Sequence, residues 1–121
     1  MKRILVAEDN DSNYILMNYI LKKHYDYFRA RNGQEAVELT ESEKPDLILM
    51  DIKMPVMDGY EAATAIRKLG TDYSQVVPII AVTADAFVSD KERARQSGMN
   101  EHVAKPIDVR QLYKTVKRFF G

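Results

Sequence analysis

Asp46-Leu47-Ile48-Leu49-Met50-Asp51-Ile52-Lys53-Met54-Pro55-Val56-Met57-Asp58-Gly59 is the stretch that decides the fold. Residues 47–50 form a short apolar run, as expected of a strand buried on both faces. Asp51 closes the run, and a carboxylate at the exit of a buried strand is costly unless its charge is used there. Pro55 and Gly59 then break the chain before a helical pattern begins. The same design recurs on either side. Ile4-Leu5-Val6-Ala7 runs into Glu8-Asp9-Asn10-Asp11, Ile79-Ile80-Ala81-Val82 runs into Thr83, and a weaker run around Val103 ends at Lys105. Acids, a hydroxyl and an ammonium therefore collect at strand ends.

Helical patterns separate these runs. Residues 11–23 read as a helix capped by Asp11 or Ser12, with Leu16/Ile20 and Met17/Leu21 four apart. Residues 27–30 read as a weaker strand. Residues 34–43 read as a short helix after the Asn32-Gly33 turn. A helix is expected over 60–69, a loop over 71–75 and a strand over 77–82. A polar helix follows over about 85–96, closed by Gly98, then a short strand over 102–104. Val109, Leu112, Tyr113, Val116 and Phe119-Phe120 mark an amphipathic last helix.

Five such strand-helix units imply an α/β fold. The expected form is a flavodoxin-like, doubly wound five-stranded parallel sheet of order 2-1-3-4-5, with helices on both faces. Ligands in such sheets bind outside the carboxyl ends of the strands, at the switch point between the first and third. Glu8-Asp9 and Asp51 follow those two strands.

Composition narrows the function. At 121 residues, a single domain covering 1–121 is expected. Eighteen basic and eighteen acidic residues give zero formal net charge, so nothing points to nucleic acid or an anionic membrane surface. There is no cysteine, which removes disulfides, thiolate metal sites and cysteine nucleophiles. The apolar run after Lys2-Arg3 is too short for a signal peptide, and no run approaches the roughly 20 residues of a membrane span. A soluble, cytoplasmic domain is the expectation.

Three acids meeting in one crevice repel, so either one is protonated or a cation is bound. Oxygen ligands without histidine or cysteine suit Mg²⁺. A carboxylate can also attack a phosphoryl group, in a reaction dominated by positioning and charge neutralisation. Lys105 and Thr83 are of the right type to neutralise and to donate.

Glu8-Asp9, Asp51 within Asp51-Ile52-Lys53-Met54-Pro55-Val56-Met57-Asp58-Gly59, Thr83-Ala84 and Lys105-Pro106 together resemble the receiver domain of two-component response regulators. Glu8-Asp9-Asn10 with Asn13 is similar to receivers of hybrid sensor histidine kinases. The resemblance covers essentially the whole chain. It implies a phosphorylatable switch rather than an enzyme acting on an outside substrate. In it Asp51 is the phosphoacceptor. Glu8, Asp9, Asp51 and the Lys53 carbonyl hold Mg²⁺ (or Mn²⁺), Thr83 and Lys105 bond the phosphoryl group, and the bond before Pro106 is cis. Ala84 leaves an open route to Asp51. The implied partners are a histidine kinase or histidine phosphotransfer domain. Downstream, a protein or fused domain is regulated through the face of the helix over 85–96, the strand over 102–104 and the last helix. The departure is His102, where the family usually places tyrosine or phenylalanine as the residue that swings with the threonine.

Rival readings fit less well. A flavodoxin-like electron carrier needs a loop after the first strand that cradles the flavin phosphate, and Glu8-Asp9-Asn10-Asp11 repels it. A haloacid-dehalogenase-like phosphatase wants a second aspartate two residues after the nucleophile, where Lys53 stands. A docking module that has lost phosphorylation would not need the whole set of site residues.

Overall fold

The computed structural model describes residues 1–84 and 88–120. In chain order its elements are β1 (Arg3–Ala7), α1 (Asp11–Leu21), β2 (Asp26–Ala30), α2 (Gly33–Glu43), β3 (Leu47–Asp51) and α3 (Gly59–Arg67). Then come α4 (Asp72–Val76), β4 (Ile79–Thr83), α5 (Val88–Gln96), β5 (Glu101–Ala104) and α6 (Val109–Phe120). The strands form one parallel sheet in the order β2-β1-β3-β4-β5, as expected.

Alternation along the strands divides the core between the two faces of the sheet. Ile4, Val6, Leu47, Leu49, Ile80 and Val82 pack with Met17 and Leu21 of α1 and Leu112 and Val116 of α6. Leu5, Ala7, Ile48, Met50, Ile79 and Ala81 pack on the other face, with Ala36 of α2, Ile66 of α3 and Ala94 of α5. Each fully buried aliphatic side chain contributes about 1.5–3 kcal/mol. Such burial on both faces explains why the strands read as continuous apolar runs rather than alternating ones.

Local caps set the helix boundaries and correct several sequence expectations. Asn10, not Asp11 or Ser12, caps α1, accepting the Asn13 N–H at 2.9 Å. Asp58 and Glu61 form a reciprocal capping box on α3. The expected loop over 71–75 is instead α4, where Thr71 and Ser74 make a second such box and Ser74 is fully buried. α3 stops at Arg67, whose guanidinium donates to the carbonyls of Ser74, Val77 and Gly98. β4 starts at Ile79 rather than at residue 77, after Pro78. The polar helix expected from Asp85 is described from Val88; Asp85, Ala86 and Phe87 lie outside the described residues. Because α4 adds a helix, the expected signalling face corresponds to α5, β5 and α6.

Gly59 fixes the chain behind the site. Its N–H donates to the Ile52 carbonyl at 2.8 Å, and a Cβ placed on it would lie 2.4 Å from the Asp51 carbonyl oxygen. That neighbour is backbone and cannot rotate away. Gly59→Ala is therefore expected to cost roughly 1–3 kcal/mol, the range for overpacking. Urea denaturation measures this, and an unchanged midpoint would contradict the tight approach.

Candidate functional site

The sheet delivers the predicted residues to one edge. β1, β3, β4 and β5 run parallel, so their carboxyl ends open on the same side. Asp51 pairs in register with Val82, and Thr83 with Ala104. Glu8 follows β1 directly and is fully buried; Asp51 ends β3 and is 3% exposed. Asp9 is exposed. Carboxylate oxygens of Glu8, Asp9 and Asp51 all lie within 4.8 Å of one another, a spacing that could hold a metal ion.

Lys105 enters this cluster from beyond β5. Its Nζ lies 3.0 Å from Asp51 Oδ1 and 3.3 Å from Glu8 Oε1. Its backbone N–H donates to the Thr83 carbonyl at 2.8 Å, and its bond to Pro106 is cis. Burial alone would lower the lysine pKa, but the Asp51 and Glu8 carboxylates outweigh it and raise the value.

Two buried carboxyl groups and one ammonium leave a charge imbalance. Burial, then a hydrogen bond with Asp51 and the Asp51 charge, push Glu8 from 4.5 up to about 7; Lys105 and the Asn10 N–H oppose the rise. Glu8 Oε1 has no hydrogen bond of proper geometry despite its burial. Three carboxylates converging on one point are a donor set suited to a hard cation. In the absence of one, the raised Glu8 value favours the folded state fully below about pH 4.5, and that contribution is lost as pH rises through about 7.

The remaining predicted residues line the rim. Thr83 is buried at the end of β4, and Ala84 beside it is exposed. Lys53 is exposed on the loop after β3. On that loop Val56 takes φ 70° while the Met57 N–H donates to the Pro55 carbonyl at 2.7 Å, a turn β-branched residues rarely adopt. His102 lies on β5, with Nδ1 3.3 Å from Glu101 Oε1, and shares a narrow cleft with Tyr60, Thr83 and Ala94. Asp58 is the cap of α3 rather than a member of the acid cluster. Sequence reasoning missed Arg29. Its Nε donates to the Glu8 carbonyl at 3.0 Å, and its only sequence signal is a cation interrupting the weak strand Tyr27-Phe28-Arg29-Ala30.

Lys105→Met tests the electrostatics. With divalent cations chelated, it is expected to cost roughly 1–3 kcal/mol near neutral pH. That is less than the roughly 3–5 of a fully buried pair, because the lysine side chain keeps 20% exposure. The cost should shrink toward about pH 4, where Glu8 is protonated without help. Urea denaturation at both pH values gives the comparison; equal costs would contradict the coupling.

Comparison with known proteins agrees with this geometry. The family model described as "Response regulator receiver domain" matches residues 4–117. The polar-differentiation response regulator DivK of Brucella anthropi is 38% identical over 121 residues, covering 99% of this chain and 97% of DivK. The receiver domain of sensor histidine kinase PA1611 from Pseudomonas aeruginosa, solved with a magnesium ion in its active-site cleft, superposes with TM-score 0.89. It is 37% identical, with 99% and 98% of the two chains covered. The receiver domain of Ssk1 from Saccharomyces cerevisiae, crystallised with the histidine phosphotransfer protein Ypd1, superposes with TM-score 0.89. It is 35% identical, with 98% and 88% covered. On residue pattern, sheet order and similarity over nearly its full length, the chain belongs to the response regulator receiver domain family.

Proposed function

We propose that residues 1–121 form one receiver domain that accepts a phosphoryl group on Asp51 from a histidine kinase or a histidine phosphotransfer protein. The observation that carries this reading is the buried Asp51 carboxylate held 3.0 Å from the Lys105 ammonium, beside Glu8 and Asp9. The Glu8 oxygen left without a hydrogen bond and the all-oxygen donor set fit Mg²⁺, with Mn²⁺ as a substitute. Glu8, Asp9, Asp51 and the Lys53 carbonyl would hold it. When bound, the ion neutralises charge on the phosphoryl oxygens.

An Asp51 carboxylate oxygen attacks phosphorus and forms an acyl phosphate. The phosphorus–nitrogen bond of the donor histidine breaks, and the imidazole leaves with the electron pair. Lys105 sits where its ammonium can meet a phosphoryl oxygen as the Asp51 charge is used in the new bond. Thr83, at the end of the adjacent strand, supplies a hydroxyl to another. Burial strengthens both contacts, because the local dielectric is low. Later hydrolysis by water returns the carboxylate. Catalysis is confined to this transfer and its slow reversal, so the chain is a switch and not an enzyme with an outside substrate.

The readout we propose runs through α5, β5 and α6 to a downstream protein or fused domain. Ala94 is a small buried anchor on α5, and residues 89–93 and 95–96 of that helix are polar or charged. A helix with so small an apolar face is weakly held. His102 stands in the cleft between Thr83 and α5 and takes the place of the usual aromatic switch residue. Among the described residues, no helix is long and apolar enough to cross a membrane.

With Mg²⁺ and a small phosphodonor such as acetyl phosphate, the protein is expected to gain one acid-stable, base-labile phosphoryl group. Chelation of the metal should stop labelling. Asp51→Asn should reduce it to background, because an amide is not a nucleophile. Undiminished labelling of Asp51→Asn would overturn the assignment.

A further inference from the structure

Arg29 lies behind the acid cluster and touches none of its carboxylates. It is nevertheless built into the loop that carries Glu8 and Asp9. Its Nε donates to the Glu8 carbonyl at 3.0 Å, and its Nη1 lies 2.8 Å from Asp11 Oδ1. Its guanidinium stacks over the Tyr14 ring at 4.4 Å. The Glu8 N–H meanwhile donates to the Ala30 carbonyl at 3.0 Å, so consecutive residues of β2 grip Glu8 from both backbone sides. Asp11 itself is exposed and is also approached by Arg31 at 3.4 Å.

Burying this guanidinium carries a cost. The side chain is 12% exposed, and its Nη2 is buried without a hydrogen-bond partner. An unsatisfied charged donor is costly, and an apolar side chain of similar length would fill the space without that cost. What the guanidinium supplies is direction: a planar fork that fixes one carbonyl and one carboxylate at the same time. Those two anchor points bracket Asp9 and Asn10.

We propose that Arg29 is a positioning residue for the cation site: it holds the loop from Glu8 to Asp11 so that the Glu8 and Asp9 carboxylates converge with Asp51. This rests on reading the crevice as a Mg²⁺ site. The sign of its effect separates it from a simple charge effect. A cation near a cation site opposes binding, so by Coulomb's law its removal alone would tighten Mg²⁺ binding. Loss of the clamp does the reverse, since groups that orient metal ligands are worth roughly 10–100-fold in affinity.

The test is Mg²⁺ titration of the folded protein, followed by NMR well below its melting temperature, for wild type, Arg29→Met and Arg29→Lys. A purely structural role would lower the melting temperature without changing the affinity of the folded molecules. The expected result is binding about tenfold weaker in Arg29→Met. Arg29→Lys is expected to be weaker as well, since lysine keeps the charge but not the fork. At saturating Mg²⁺, phosphorylation of Arg29→Lys by acetyl phosphate should return to the wild-type rate. Equal or tighter binding in Arg29→Met overturns the proposal. If Arg29→Met does not fold, Arg29→Lys decides: weaker binding supports the proposal, and wild-type affinity overturns it. Absence of Mg²⁺ binding in the wild type overturns the cation site and this proposal together, an outcome distinct from wild-type binding that Arg29 does not influence.

Discussion

The Lys105 ammonium stands between two buried carboxyl groups, 3.0 Å from Asp51 and 3.3 Å from Glu8. Each group would be expensive to bury alone. Together they are tolerated, but the sum is unbalanced: burial first, then the hydrogen bond and charge of Asp51, push Glu8 up to about 7, and the Lys105 charge only partly offsets them. The crevice is therefore poised toward added positive charge, and toward a group whose own negative charge Lys105 could then meet. Both features follow from placement, before any partner is considered.

That placement is a property of the parallel sheet. All five strands point their carboxyl ends the same way, so residues separated by dozens of positions in sequence meet at one edge. The central strands β1, β3 and β4 are apolar on both faces, and they fix where each exit lies. The loops beyond them are free to carry polar chemistry. Gly59 and Arg29 show how closely those loops are held: one brings backbone against the Asp51 carbonyl, and the other ties the Glu8 carbonyl to β2.

Much of this was legible in the sequence because the signals are one-dimensional. Two-sided burial makes a strand an unbroken apolar run, so β1, β3 and β4, the acids at the exits of the first two and the hydroxyl at the exit of the third could be read directly. The amphipathic α6 was equally plain. Other features depended on tertiary context. α4 is a short helix with little periodicity, and its signal was only the Thr71/Ser74 capping pair. The cap of α1 shifted to Asn10 because Asn, Asp and Ser are near-equal caps and sequence does not rank neighbours. Arg29 sits on a strand of intermediate burial, where a cation normally faces solvent; nothing local says that its guanidinium turns to the loop after β1. His24 is exposed yet stacks on Tyr113 at 4.5 Å, a pairing set by the docking of α6 beside α1 that no local pattern announces.

The Glu8 carboxyl reports the charge imbalance of the crevice. The direct measurement is a carbon-13 NMR titration of the Glu8 side chain in chelated, metal-free protein, repeated with Asp51→Asn. A midpoint near 7 is expected in the wild type, with a clear fall when the Asp51 charge is removed. A Glu8 midpoint at its ordinary value of 4.5, indifferent to Asp51, would contradict it.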